Sequence, residues 1–81
     1  MIYAYVIDQV AFETVLAGSS SERRLLLDAI SRLSVTPFQE PDMKDVVEGR
    51  EIMVRFIGPF AITYWLDHAV KEIRIVNVFR D

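Results

Sequence analysis

The sequence predicts a single small α+β domain of order βααβββ, a mostly antiparallel four-stranded sheet with a helical hairpin packed on one face. Three observations lead there. Residues 2–7 are β-branched and aromatic, residues 8–34 repeat apolar side chains at helical spacing, and residues 50–79 alternate with period two. A length of 81 residues leaves room for one domain, spanning 1–81. The chain is 52% hydrophobic and 26% charged with only 3 Gly and 3 Pro, which excludes a disordered, collagen-like or low-complexity segment.

Each element has its own signal. Ile2–Ile7 forms the first strand, because side chains branched at Cβ fit a pleated surface. Asp8 then caps a short helix carrying Phe12, Val15 and Leu16 on one side, and Gly18 offers a left-handed stop. Ser19 and Glu22 have capping-box spacing and open a helix from about Ser20 to Ser34. Leu26, Ala29, Ile30 and Leu33 make its inner stripe, while Glu22, Arg23, Asp28 and Arg32 face outward. Val35–Gly49 holds Pro37, Pro41 and five charged residues and fits neither period, so it reads as loop. Glu51–Ile57, a Gly58-Pro59 turn and Phe60–Leu66 follow. Asp67-His68-Ala69 turns the chain into a last strand over Val70–Phe79.

Strand parity sorts the side chains onto two faces. Ile52, Val54, Phe56, Phe60, Ile62, Tyr64, Leu66, Ile73 and Ile75 are assigned to the core under the helices. Glu51, Met53, Arg55, Ala61, Thr63, Trp65, Arg74, Val76, Val78 and Arg80 are assigned to the other face. The second set mixes arginines with large apolar groups, as a surface built to meet a partner does.

Charge and residue usage exclude several function classes. The net charge is −3 with a pI near 5.0, against the basic patch that non-specific polyanion binding requires. The charge is uneven, −4 over residues 1–49 and +1 over residues 50–81, and seven of the nine cations are Arg. Without Cys and with one His there is no disulfide framework and no thiolate or histidine metal centre. No cofactor or metal is expected. No apolar run approaches the ~18 residues of a membrane span, and the first residues lack the basic region of a signal peptide, so a cytoplasmic location is expected.

No pattern of catalytic residues emerges. His68 lies in a turn with no nucleophile pattern around it, and Gly18-Ser19-Ser20-Ser21 lacks the glycines and Lys of a phosphate loop. The acidic residues Glu40, Asp42, Asp45 and Glu48 lack calcium-loop spacing and read as a solvated stretch. Arg55, Arg74 and Arg80 are the exception. Parity puts them together beside Met53, Trp65, Val76 and Val78, and they either pair with Glu51, Glu72 and Asp81 or form a cationic rim around apolar anchors.

The element order and three segments resemble the RelE/ParE superfamily of toxins from bacterial type II toxin–antitoxin systems, which includes plasmid-stabilisation proteins. Val47-Glu48-Gly49 stands where that family often has Leu-x-Gly. Arg55–Tyr64 looks like its Arg…Gly…Ile-x-Tyr segment, and Ile73–Asp81 looks like its closing strand with a basic end. The resemblance implies a cytoplasmic toxin neutralised by a small antitoxin. Its RelE-like members cleave mRNA in the ribosome, and its ParE-like members inhibit DNA gyrase.

Three departures separate this chain from the RelE pattern. Ala61 stands three positions before Tyr64, where RelE-like ribonucleases place a catalytic Arg. No Lys pair precedes Arg55, and the chain ends one residue after Arg80, the one approximate match to a catalytic position. Cleavage needs a group to take the 2′-OH proton, one to stabilise the phosphorane and one to protonate the leaving oxygen. Arg80 alone supplies the second. The expectation is a toxin that acts by binding protein, ParE-like with gyrase as target. Its partner surface is Met53, Arg55, Trp65, Arg74, Val76, Val78 and Arg80, open to an antitoxin or to a homodimer. The alternatives are a metal-independent mRNA endoribonuclease with a reduced active site, and a non-toxic interaction module of the same fold.

Overall fold

The structure is a computed structural model and describes residues 2–80. Strand β1 (Ala4–Ile7) leads into helix α1 (Gln9–Ala17) and helix α2 (Ser20–Val35). Strands β2 (Met43–Val47), β3 (Arg50–Ile57), β4 (Phe60–Asp67) and β5 (Glu72–Arg80) follow. The sheet has five strands in the order β1-β5-β4-β3-β2. Four strands run as a meander with antiparallel neighbours, and β1 adds parallel to β5 at the far edge.

The extra strand corrects the loop expected over residues 35–49. Only the first part, with Pro37 and Pro41, is loop. Met43–Val47 pairs with β3 through a two-residue turn in which Glu48 and Gly49 both have positive φ, 53° and 77°. Such a turn matches the twist of a hairpin, so Glu-Gly acts as the more familiar Asn-Gly and Asp-Gly pairs do.

The helix starts and stops follow local chemistry. Ser19 Oγ accepts from the Glu22 backbone N–H at 3.2 Å, and Glu22 Oε1 accepts from the Ser19 N–H at 2.9 Å, completing the expected capping box. Asp8 occupies the N-cap of α1 but its side chain makes no capping bond. Gly18 ends α1 at φ −77°, extended and not left-handed. The Arg23 guanidinium instead donates to the Gly18 carbonyl at 2.7 Å, closing the exposed helix end.

Both helices cover one face. Leu26, Ala29, Ile30 and Leu33 from α2 and Ala11 and Val15 from α1 pack on Phe60, Ile62, Tyr64, Ile73 and Ile75, all of them buried. Phe12 and Leu16, expected on that inner side, are exposed, because Ala11 and Val15 form the buried stripe. Each fully buried Ile contributes ~1.5–3 kcal/mol. Met53 and Val78 join this core at 6% and 2% exposure.

That placement overturns half of the parity assignment. The Gly58-Pro59 turn is a two-residue loop, so Ile57 pairs with Phe60, Arg55 with Ile62 and Met53 with Tyr64, and cross-strand partners share a face. Met53, Arg55 and Ile57 therefore lie toward the helices, and Ile52, Val54 and Phe56 face away. A shift of one residue moves a whole strand's side chains to the other face. In β5 the register changes between Thr63 and Tyr64 of β4, leaving Val76 as the extra residue of a β-bulge. Beyond it Val78 and Arg80 fall on the helix side, with Ile73 and Ile75.

Candidate interaction surface

The sheet's second face has no helix against it, and the registers lay its side chains out in rows. Phe56, Ala61 and Phe79 form the first row. Met43, Val54, Thr63 and Asn77 form the second. Asp45 with Ile52, then Trp65, Arg74 and Val6, form the third, and Val47 with Arg50, then Asp67, Glu72 and Ala4, the fourth. The face grades from apolar to charged along the strands. Phe56 and Phe79, 46% and 52% exposed, share one row with Ala61 and so form a contiguous apolar strip, the kind of surface that marks a contact site.

At the charged end the sheet opens. The β3–β4 ladder stops at Met53 and Tyr64, although both strands continue for three more residues. A cleft of about 310 Å³ lies there, lined by Gly49, Arg50, Glu51, Met53, Trp65, Leu66 and His68. The Arg50 guanidinium sits over the Trp65 ring at 3.8 Å, a cation–π contact that fixes the indole at the cleft's rim. Arg74 pairs with Glu72 at 3.1 Å on the same face.

The seven residues expected to form one partner-binding face are thus divided. Trp65 and Arg74 are on the open face, and Val76 is half-buried at the bulge. Met53 and Val78 belong to the core. Arg55 lies on the helix side, where its Nη2 donates to the Glu40 carbonyl at 2.8 Å. Its Nε and the Tyr64 hydroxyl are buried without a hydrogen-bond partner among the described residues. Burial pushes the Tyr64 phenol above its usual pKa, with Arg55 pulling the other way.

Arg80, the candidate catalytic residue, also lies on the helix side. It pairs with Glu22 at 2.8 Å and rests over the Phe60 ring at 4.8 Å. The Ser19 backbone N–H, and after it Arg80, hold the Glu22 carboxyl below its usual pKa. Asp81, named as a pairing partner for the arginines, lies outside the described residues. The fixed separation across a two-residue turn was the signal for the correct faces of β3. The bulge in β5 has no comparable signature in the sequence, since Val76, Asn77 and Val78 suit either register.

His68 is in the expected turn, as an anchor between segments. Its Nδ1 shares a hydrogen bond with the Tyr3 hydroxyl at 2.9 Å, and its ring stacks on Phe38. No group of three or more metal-ligating side chains occurs among the described residues. No helix among them is long and apolar enough to cross a membrane.

Among solved structures, the chain is similar to a chain of the archaeal RelE–RelB complex from Pyrococcus horikoshii OT3. That match has a TM-score of 0.82 at 17% identity and covers 99% of this chain and 96% of that one. It is also similar to a chain of the toxin–antitoxin complex RelBE2 from Mycobacterium tuberculosis, with a TM-score of 0.70, 15% identity and 100% coverage of both chains. No family model and no curated protein matches the sequence. Likeness at this level of identity carries the architecture, while activity rests on the particular residues of a site. The architecture laid out above is the fold shared with these chains of the RelE–RelB and RelBE2 complexes.

Proposed function

We propose that this protein is the toxin of a toxin–antitoxin pair of RelE/ParE type, that it acts by binding protein, with DNA gyrase as the target class, and that a small cognate antitoxin neutralises it. The end-to-end fold match to chains of two toxin–antitoxin complexes carries the reading. Binding is favoured over RNA cleavage by what occupies the open face. On β3 and β4 its first three rows present Phe56, Ala61, Val54, Thr63, Ile52 and Trp65, none of them a group that takes a proton from a 2′-OH at neutral pH. Its carboxylates, Asp45, Asp67 and Glu72, lie toward its charged end, Glu72 already paired with Arg74. Arg80 is held by Glu22 and Arg55 by the Glu40 carbonyl, both on the helix side, while on the open face Arg74 is paired with Glu72 and Arg50 rests on Trp65.

The test is induced expression in a bacterial host with mRNA integrity and DNA breaks followed together. The expected result is growth arrest with DNA breaks and intact mRNA, relieved by the product of a neighbouring short reading frame. Codon-dependent mRNA cleavage abolished by Arg80→Ala would establish the ribonuclease reading instead. Normal growth would leave a non-toxic interaction module.

A further inference from the structure

Beyond that reading, and independent of it, the open face has a shape that fits itself. Phe56 and Phe79 flank Ala61 in one row, on strands two spacings of ~4.8 Å apart, so rings standing off the sheet at these positions would leave a gap about 10 Å wide over the Ala61 methyl. A third ring between them would lie about 5 Å from each, within the ~4.5–7 Å that aromatic pairs prefer. We propose that this face forms a homodimer in which Phe56 of each copy enters the slot between Phe56 and Phe79 of the other. A two-fold axis along the strands, between β3 and β4, gives the run Phe79, the partner's Phe56, Phe56, the partner's Phe79.

The same axis decides what the other rows meet. It sets β3 over the partner's β4 and β2 over the partner's β5. In the third row Asp45 then faces the partner's Arg74, and Ile52 faces the partner's Trp65. In the fourth row Arg50 faces the partner's Asp67. Two kinds of opposite-charge pair each occur twice, and no like charges are opposed. A two-fold interface must be self-complementary in this way. The axis overlaps four strands of each copy, β1 lying beyond the partner's edge. Four strands and four rows cover roughly 19 Å by 25 Å, about 480 Å² of flat area, which side-chain relief raises toward the ~800 Å² per partner found in stable interfaces.

Sedimentation equilibrium with the purified full chain tests this. The wild type is expected to be dimeric at micromolar concentration. Ala61→Phe adds apolar area but fills the slot, and is expected to weaken dimerisation at least ~tenfold, as blocking a central anchor does. Asp45→Arg is expected to weaken it too, and Arg74→Asp in the same chain to restore it. A wild type that stays monomeric at submillimolar concentration would overturn the proposal. So would an Ala61→Phe variant, melting like the wild type, that dimerises equally well or better, which would mark mere hydrophobic adhesion. If Ala61→Phe does not fold, failure of the charge exchange to restore association decides against it. A monomer that gives up antitoxin binding on Ala61→Phe would assign the face to the antitoxin instead.

Discussion

The two faces of this sheet are made by alternate residues of the same strands, and they are held in different ways. The closed face is set by burial. Phe60, Ile62, Tyr64, Ile73 and Ile75 meet Leu26, Ile30 and Leu33, and each position has one acceptable kind of side chain. The open face is set by pairing between side chains, such as Arg50 on Trp65 and Arg74 with Glu72, and most of its positions touch only neighbours on the sheet. Stability is therefore concentrated on one face, which leaves the other free to vary with a partner.

The largest effects are expected where the closed face is broken. Ile62→Asp places a carboxylate in the core and removes ~1.5–3 kcal/mol of burial besides the cost of the charge. A domain this small should lose its cooperative unfolding transition, read by circular dichroism. A smaller loss is expected at the turn that sets the register. Gly58 has φ +54°, and a Cβ there would lie 2.9 Å from Leu25 Cδ2. The leucine can move, but the backbone strain stays, so Gly58→Ala should cost about 1–2 kcal/mol in denaturant unfolding.

Smaller still is the link between the end of β5 and the start of α2. Glu22 has its carboxyl pKa lowered by Ser19 and Arg80, so it contributes stability above its unfolded pKa, and that stability is lost as pH falls through the folded one. Glu22→Gln should flatten the loss of melting temperature on acidification from about pH 5 downward, where a free Glu titrates near ~4.3. The smallest effect, of opposite sign, is at Tyr64. Its hydroxyl is buried with no hydrogen-bond partner among the described residues, so Tyr64→Phe should leave stability unchanged or raise it by about 1 kcal/mol.

These contrasts also show what the sequence could carry. The α2 stripe and capping box were legible because helical spacing and cap chemistry are local, and β4 was legible because Phe60, Ile62 and Tyr64 alternate cleanly. β3 was not. Both of its parities are largely apolar, Ile52, Val54 and Phe56 against Met53 and Ile57, so only the pairing across Gly58-Pro59 distinguishes them. β2 was hidden by its charged, short stretch beside Pro41. The partner surface suffered most, because it depended on β3 parity and on a bulge at Val76 that turns Val78 and Arg80 inward. Trp65 and Arg74 kept their place, since Trp65 lies on β4, whose alternation is clean, and Arg74 lies before the bulge at Val76.

Two neighbours in β3 put the division between faces to the most direct test. Met53 lies in the core beside Tyr64, and Val54 lies on the open face between Met43 and Thr63. Thermal unfolding of Met53→Lys and Val54→Lys, measured side by side, is predicted to give opposite results. Met53→Lys should lose the cooperative transition, because burying an ammonium without a partner is prohibitive in a domain this small. Val54→Lys should melt within about 4–8 °C of the wild type, the shift that ~1 kcal/mol produces at this size. A Val54→Lys variant that fails to fold beside a stable Met53→Lys would contradict the account.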